Sequence, residues 1–426
     1  MNTLETINAG IEKRYKREKR FRLYGQISIA TGILFLFFLL GTTVLNGISA
    51  FQQTYIALEI VLDTDQFDTD EDGDIRPESL ATANYNGIIR ESLKARFPDV
   101  KKRKDKKALY SILSSGAVYD FRDTVVKNPQ MIGTTQTIWL LADDEVDMYV
   151  KGKISADIPE KNRRIKDNTI AWVEQLRADK DVEKRFNSIF FSAGDSREPE
   201  QSGIRGAIMG SFYTIVVAML LSFPIGVAAA IYLEEFAPRN RLTGLIEVNI
   251  NNLAAVPSII FGLLGLAIFI NYFGLPRSIP LVGGMVLALM TLPTIIISSR
   301  AALAAVPPSI REAALGVGAS QIQTVLHHTM PLALPGMLTG TIIGLARALG
   351  ETAPLLVIGM VAFIVDIPGS PLEPSTALPV QVYLWADSPE RAFVERTSAA
   401  IMVLLMFLVA INGLIVILRN KLERRW

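Results

Sequence analysis

The chain of 426 residues carries 43 Lys and Arg against 42 Asp and Glu, half of its residues are hydrophobic, and its mean hydropathy is +0.31. The apolar residues are concentrated in long runs, which excludes an ordinary soluble protein and indicates a membrane protein. The net charge of +1 says little about partners, because positive and negative residues are segregated along the chain. The sequence contains no cysteine, which excludes disulfides, thiolate chemistry and cysteine-ligated metals.

Residues 1–22 form a basic N-terminal segment, and an apolar segment, 23–48, follows it. Residues 23–45 hold no charge, and about 20 such residues are enough to cross a bilayer. A basic cluster could also be a nucleic-acid-binding arm, but beside an apolar run it is more typical of a topology signal. The sequence predicts a cytoplasmic N-terminus and a first transmembrane helix that stays as an anchor rather than being cleaved.

Between residues 50 and 203 the chain is polar, and we expect a soluble α+β domain in the periplasm. Alternation of apolar and polar residues predicts strands at 54–62, 135–141 and 146–150. Prolines at both ends bound a predicted helix at 77–97, and residues 167–191 are expected to be largely helical.

An acidic run within this domain resembles the start of an EF-hand loop. Its oxygen donors at the first, third and fifth positions are Asp68, Asp70 and Asp72, and a glycine, Gly73, follows at the sixth. Ser79 stands at the twelfth position, where a bidentate glutamate is expected. The run is a weak candidate for a calcium site, and the alternative is a solvated acidic surface loop.

From residue 204 to 418 the chain returns to the membrane. Five further spans are predicted, at 207–233, 253–272, 281–298, 336–361 and 398–418, followed by a cytoplasmic tail at 419–426. The predicted fold is therefore an all-α polytopic membrane protein of six transmembrane helices, with an α+β domain inserted between the first two. Six spans place both termini and the arginine-bearing loops on one side.

The segment 300–331 is amphipathic although it lies between two apolar spans. Ser309 followed by Glu312 predicts a capped helix, Gly318 a turn, and residues 321–328 a second short helix. Two short helices at a membrane face indicate an element to which a partner protein docks. The alternative is an ordinary cytoplasmic loop that begins with a capped helix.

The spacing in this segment resembles the cytoplasmic coupling loop of importer-type ABC transporter permeases. The matching positions are Glu312, Ala313, Ala314, Gly318 and Pro331, whereas His328 and Met330 stand where that family usually has Ile and Leu. The resemblance implies that the loop inserts into a groove on a separate ATPase subunit. ATP and magnesium would then be bound by that partner, and this chain would bind no cofactor and would not be an enzyme.

Two charged residues, Arg347 and Glu351, lie in the fifth predicted span, four residues apart and so on one helix face. Each alone near the bilayer centre costs about 2.5–3.5 kcal/mol, whereas an exposed pair returns only about 0.3–0.5 kcal/mol. This face must therefore meet protein or a wet cavity. It is either a buried pair that clamps two helices, or part of a path on which Arg347 offers a donor fork to phosphate or sulfate.

Three sequence runs, ARALGETAPLL, NNLAAVPSIIFGLLGLAIF and YLEEFAPRNRL, resemble the permease of the phosphate-specific ABC importer, the PstA type, with a periplasmic extension like that of proteobacterial members. The resemblance implies alternating access, in which the Glu312 loop acts as a lever. The implied partners are a second permease (PstC type), an ATPase dimer (PstB type) and a periplasmic phosphate-binding protein (PstS type). No nucleic acid is implied, and the location is the bacterial inner membrane. Arg347 and Glu351 match the family's membrane motif.

Two other functions stay open at this stage. One is an ABC permease for sulfate, molybdate or an organic phosphate, which would keep the loop and change the residues of the path. The other is a membrane-anchored sensor whose working part is the 50–203 domain. A sensor would need neither the Glu312 loop nor charges in a span, and the short tail leaves no room for an output domain.

Overall fold

The computed structural model describes residues 3–68 and 76–422, and the described part is mostly helical. The first half holds α1 Thr3–Gly47, β1 Gln52–Val61, α2 Pro77–Thr82, α3 Tyr85–Arg96, α4 Arg103–Tyr110, α5 Ala117–Lys127, β2 Thr135–Leu141, α6 Asp144–Val150, α7 Asp167–Ala178, β3 Val182–Phe186 and α8 Ser188–Ser192. The second half holds α9 Arg205–Ile231, α10 Arg241–Ala254, α11 Ser258–Gly265, α12 Pro280–Ala304, α13 Pro308–Gly316, α14 Gln321–Thr324, α15 Met330–Gly350, α16 Ala353–Val357, α17 Leu378–Ala386 and α18 Phe393–Leu422.

A three-stranded antiparallel sheet with the order β2-β1-β3 lies between α1 and α9 in the sequence. β1 pairs with β2 from Tyr55↔Leu141 to Val61↔Thr135 and with β3 from Gln52↔Phe186 to Ile56↔Val182. Alternate residues of β1 point to one side, where the buried side chains of Ile56, Leu58 and Ile60 pack against the surrounding helices. The strands predicted at 54–62 and 135–141 are confirmed.

The third strand predicted in this part, at 146–150, is wrong, because these residues belong to helix α6. The carboxylate of Asp143 accepts a hydrogen bond from the Glu145 N–H at 3.2 Å, which caps the helix. Asp144, Glu145 and Asp147 fill its first turn, where negative charge is favoured by the helix dipole. Local capping therefore overrides the apolar alternation on which the strand prediction rested.

The two long helices predicted in this part are both interrupted. The one at 77–97 divides into α2 and α3, because the side chain of Asn84 accepts a hydrogen bond from the Gly87 N–H and starts a new helix. The one at 167–191 divides into α7, β3 and α8, with Lys180 at a positive φ of 65° in the turn before the strand. Pairing with β1 makes β3 extended, and a distant strand cannot be read from local periodicity.

Among the described residues, five helices are long and apolar enough to cross a membrane, or six if one bent pair forms a single span. The five are Lys13–Phe51, Arg205–Phe236, Pro280–Ala304, Gln321–Gly350 and Phe393–Lys421. The bent pair, Arg241–Ala254 with Ser258–Tyr272, turns by 100° near Pro257. Its first half lies mostly between the spans predicted at 207–233 and 253–272. The break follows because the residue before a proline avoids helical geometry.

The prediction for the fifth span is corrected at both ends. A helix begins at α14, runs through the π-helical turn Val325–Thr329 into α15, and ends at Gly350 rather than 361. The second loop helix, predicted at 321–328, therefore continues past Pro331. This proline is accommodated because it follows a π-helical turn and lies in the first turn of α15. Beyond Gly350, Glu351 adopts φ −81° and ψ 118°, which stops the helix, and α16 follows.

Glycines bring α15 and α12 close together as antiparallel neighbours. Gly336 lies against Ala302 and Gly340 against Ser298, and a side chain at either glycine would collide with that partner. Small residues at such contacts let helix backbones approach each other in a membrane. This packing fixes which turn of α12 lies beside the C-terminal end of α15.

Candidate functional site

Arg347 and Glu351 form an ion pair in the structure, with 3.6 Å between Nε and Oε1. Glu351 lies just beyond the last helical residue, Gly350, so the expectation that both residues share a helix face is wrong. The extended backbone at Glu351 nevertheless leaves its carboxylate within reach of the guanidinium. In the isolated chain the Arg347 side chain is 44% exposed and that of Glu351 is 22% exposed.

The Arg347–Glu351 pair lies part-way along the membrane-spanning helices rather than at their ends. Gly344 is the last α15 glycine that contacts α12, where it faces Thr291 and Ile295. Because the two helices are antiparallel, Arg347 lies opposite the turn of α12 that comes earlier in the sequence. Counted along α12 from Pro280, that turn begins roughly 10–15 Å from the helix end at a rise of about 1.5 Å per residue. A break of the helix next to two charges therefore occurs within the thickness of the spans.

The exposed residues of α15 form one stripe, which we call the α15 stripe: Gly336, Thr339, Ile343, Arg347 and Gly350. Their spacing of three and four residues places them on one face of the helix. The opposite face is buried against the bundle through residues such as Leu345 and Leu349. Since a guanidinium facing lipid is costly, the α15 stripe must face another protein surface or water.

A second candidate element is the loop helix α13. Ser309 is not its N-cap as predicted, because the helix begins at Pro308 with Pro307 in the cap position, which puts Ser309 inside the first turn. A capping box is found instead at the start of α14, between Ser320 and Gln323. Gly318 has a φ of +92° in the turn between α13 and α14, a conformation that favours glycine.

The structure places the predicted loop residues on two sides. Glu312, Ala313 and Gly318 are exposed, whereas Ala314 is buried and fixes the helix to its neighbours, and Pro331 is half-buried. Four apolar side chains of the same loop are also exposed: Leu315, Val317, Ile322 and Leu326. Exposed apolar side chains next to charged residues are typical of protein-binding surfaces.

An arginine that the sequence analysis missed holds α13 in place. The Arg311 guanidinium binds the Glu235 carboxylate, with Nη2 at 2.6 Å from Oε1 and Nε at 3.2 Å from both oxygens. It also donates to the carbonyls of Val306, at 2.8 Å, and Leu303, at 2.9 Å, near the end of α12. One side chain therefore joins the loop helix, the end of α12 and the turn after α9.

A second arginine repeats this arrangement one helix earlier. Arg300 on α12 contacts Glu234 at 3.3 Å and Glu247 of α10 at 2.8 Å. The sequence signal was present, since two glutamates end one span and two arginines flank the end of another. Their pairing was not predictable because the partners are separated by 53 to 76 residues.

We call β1 to α8, with the segments between them, the sheet-containing unit. A buried charge cluster joins this unit to the membrane-spanning helices. Lys151 Nζ lies 2.5 Å from Asp147 Oδ2 and 2.7 Å from Glu395 Oε1, and all three side chains are at most 5% exposed. Asp147 also accepts from the Thr54 N–H, and Glu395 accepts from the Ser49 hydroxyl. The contacts connect α6 and β1 with the residues after α1 and with the start of α18.

Several carboxyls of the same unit have raised pKa values. Burial, with the nearby carboxylates Asp144 and Glu200, raises the pKa of Asp143 to about 8. Burial is also the main cause that raises the pKa values of Asp144 and Glu200, although the Ser114 hydroxyl donates to Glu200 at 2.5 Å and opposes the shift there. These groups therefore hold protons at higher pH than free carboxyls do.

The weak calcium candidate cannot be placed as a set. Asp68 is exposed at the end of the described stretch, whereas Asp70 and Asp72 lie outside the described residues. Within residues 3–68 and 76–422, no group of three or more His, Asp or Glu side chains is arranged to hold a metal ion.

Comparison with protein families matches two parts of the chain. Residues 222–426 match the family described as binding-protein-dependent transport system inner membrane component. Residues 8–160 match a domain of unknown function, DUF3333. The first match contains the α15 stripe, Arg311 and the α13 loop, and the second covers α1 and most of the sheet-containing unit.

Individual relatives were found among curated proteins. The phosphate transport system permease protein PstA 1 of Mycobacterium tuberculosis is 30% identical over 230 residues, which are 53% of this chain and 74% of that protein. The PstA protein of Haemophilus influenzae is 30% identical over 50% of this chain and 74% of its own length. The probable ABC transporter permease YqgI of Bacillus subtilis is 34% identical over 39% of this chain, which spans only 56% of that relative.

Proposed function

This chain belongs to the PstA family of phosphate transport system permeases, and on that premise we propose that it moves inorganic phosphate through the bacterial inner membrane as the permease subunit of an ATP-driven importer. The observation that carries the proposal is the identity of 30% to PstA proteins over 74% of their length. The family consists of membrane subunits rather than enzymes, and ATP and magnesium are assigned to a separate ATPase.

The α15 stripe is the proposed substrate path. Arg347 is a planar, permanently charged donor that suits a phosphate oxyanion, and Glu351 holds it 3.6 Å away at the break of the helix. Because the stripe is exposed on this chain, a second permease of the PstC type would complete the path from the other side. When phosphate arrives, the Arg347 guanidinium would contact the anion instead of the Glu351 carboxylate, which would then be released.

The proposed coupling element is the loop 300–331. Glu312, the exposed apolar side chains of the loop and the turn at Gly318 would dock into the ATPase dimer, of the PstB type, on the cytoplasmic face. Movement of the ATPase would be passed through Arg311 to α9 and α12, since that side chain is bonded to both. Alternating access then follows when those helices change the side to which the path opens.

The topology that fits this coupling places both termini in the cytoplasm. Residues 1–22 and 419–426 would be the basic cytoplasmic ends, 23–48 the first span, and 204–418 the permease domain. Residues 50–203 would form the periplasmic α+β domain. A phosphate-binding protein of the PstS type would deliver the anion to that outer face.

The direct test is uptake of radiolabelled phosphate into right-side-out vesicles that contain the whole assembly and enclose ATP, with unlabelled sulfate as competitor. We expect ATP-dependent uptake that unlabelled phosphate suppresses and sulfate does not. Uptake of sulfate, or equal competition by both anions, would contradict the assignment of phosphate. An assembly that shows no ATP-dependent uptake of either anion would contradict the importer function.

A further inference from the structure

Three phenylalanines form an aromatic cluster where α1 gives way to the sheet, and we call it the aromatic collar: Phe51, Phe186 and Phe191. The ring of Phe191 stacks on Phe51, with centroids 5.7 Å apart, and on Phe186, with centroids 5.8 Å apart. Phe186 is nevertheless 67% exposed and Phe191 40% exposed. The collar is thus an ordered apolar surface that the rest of the chain leaves uncovered.

The distance of the aromatic collar from the first apolar span is fixed by the backbone that connects them. The turn Ile48–Phe51 continues α1 directly, and Gln52, the first residue of β1, pairs with Phe186 across the sheet. At about 1.5–2 Å per residue, Phe51 stands only roughly 10 Å beyond the end of the charge-free run 23–45. Val61, at the opposite end of β1, lies about 30 Å from Gln52 at about 3.3 Å per residue.

The collar continues an apolar surface that already requires lipid. The most apolar part of the span Lys13–Phe51 is 0% buried by the rest of the chain, and Ile48, next to the collar, is also exposed. Aromatic side chains at the end of a span are favoured at the boundary between the acyl chains and the headgroups. Lys184, two residues before Phe186 on the same side of β3, is exposed and lies about 7 Å farther from the span.

We propose that the aromatic collar lies in the lipid interface beside α1, with Lys184 directed to headgroup phosphates. The sheet-containing unit is then held by two separate devices. The buried Lys151–Glu395 contact fixes it to α18, and the collar fixes the exposed side of β3 to the bilayer. The lipid contact depends on the membrane position of α1 and not on which solute the protein carries.

The cysteine-free sequence allows a clean test with single nitroxide labels. Cysteine is introduced by Phe186→Cys or Phe191→Cys in the full chain, assembled with its transporter in lipid nanodiscs, and collision rates with oxygen and with a water-soluble nickel chelate are measured by EPR. Val61→Cys is the matched control, since Val61 is similarly exposed at the other end of the sheet. Leu34→Cys provides the lipid-facing reference on α1.

We expect the labels at 186 and 191 to collide more with oxygen than with nickel, as the label at 34 does, and the label at 61 to show the reverse. A label at 186 that matches position 61 would place the collar in water and overturn the proposal. Protection of both collar positions from both reagents would overturn it too, because another subunit would then cover the surface. Parallel results at 186 and 191 exclude a local effect of one substitution.

Discussion

Arg311 and Glu235 are 76 residues apart in the sequence and form a two-nitrogen ion pair, with the shortest distance 2.6 Å between Nη2 and Oε1. Both side chains are less than a quarter exposed. The same guanidinium also binds two carbonyls at the end of α12. The loop helix α13 is therefore bonded both to the end of α12 and to the π-helical turn that continues α9.

Arg311→Ala should uncouple transport from ATP hydrolysis. The substitution removes hydrogen bonds to a charged group, each contributing about 1.5–3 kcal/mol, and frees α13 from α9. We expect the assembled transporter to hydrolyse ATP while phosphate uptake falls by at least about tenfold, a factor equal to 1.4 kcal/mol. Glu235→Gln should have a smaller effect in the same direction. Unchanged uptake per ATP hydrolysed in Arg311→Ala would contradict the role of this pair.

Gly318→Ala and Gly316→Ala form a matched pair of variants on the loop. Gly318 has a φ of +92°, which strains any other residue by about 1 kcal/mol, whereas Gly316 is helical with free space around it. We expect Gly318→Ala to weaken co-purification of the ATPase and to reduce uptake, and Gly316→Ala to leave both unchanged. Equal behaviour of the two variants would show that the turn geometry does not matter for docking.

Glu312→Ala tests the docking surface without disturbing the fold. The side chain is exposed, so its removal should leave the melting temperature of the chain unchanged. We expect loss of ATP-driven uptake together with weaker binding of the ATPase in a pull-down. Normal assembly with normal uptake would remove Glu312 from the coupling element.

Lys151→Met should destabilise the chain strongly. It leaves the buried carboxylates Asp147 and Glu395 without their shared cation, and breaking a buried ion pair costs about 3–5 kcal/mol. Arg96→Met is the control, because Arg96 pairs with Asp179 and Asp181 at the surface, where a pair contributes about 0.2–1 kcal/mol. Thermal unfolding of the full chain in detergent should show a clearly larger loss for Lys151→Met.

The contribution of Asp143 to the stability of the sheet-containing unit should fall as the pH rises. Asp143 has a pKa of about 8 in the folded chain, above its ordinary value, so the folded state binds the proton more tightly than the unfolded state does. Stability is therefore highest below about pH 4 for this group and is lost as the pH rises to about 8. Asp143→Asn keeps the cap of α6 and should flatten this slope, although the buried Asp144 and Glu200 keep part of it. An unchanged slope of melting temperature against pH would contradict this assignment.

Local signals predicted the apolar spans and the strands at β1 and β2, because composition and alternation are short-range properties of the sequence. They failed where a distant strand or a single capping side chain determines the secondary structure. Pairing with β1 turns residues after α7 into β3, and the Asp143 cap turns a predicted strand into α6. The end of α15 at Gly350 was missed because the apolar pattern continues through α16.

The candidate site divides in the same way. Arg347, Glu351 and the Glu312 loop were proposed from the sequence, since charges within a span and a spaced motif are visible without a structure, and their roles stay predictions. Arg311 and Lys151 were not found, because each acts through partners far along the chain. A charged residue beside a span reveals its role only when its partner is known.

Whether Arg347 lies on the phosphate path is decided by phosphate uptake in the variants Arg347→Ala and Arg347→Lys. Both variants should fold, because the Arg347 side chain is 44% exposed in the chain itself. Assembly with the ATPase and the second permease is checked by co-purification before uptake is compared. We predict that Arg347→Ala abolishes labelled phosphate uptake and that Arg347→Lys, which keeps the charge without the planar fork, retains a small part of it. Normal phosphate uptake by assembled Arg347→Ala, with only a lower melting temperature, would contradict the account and leave the pair a structural clamp.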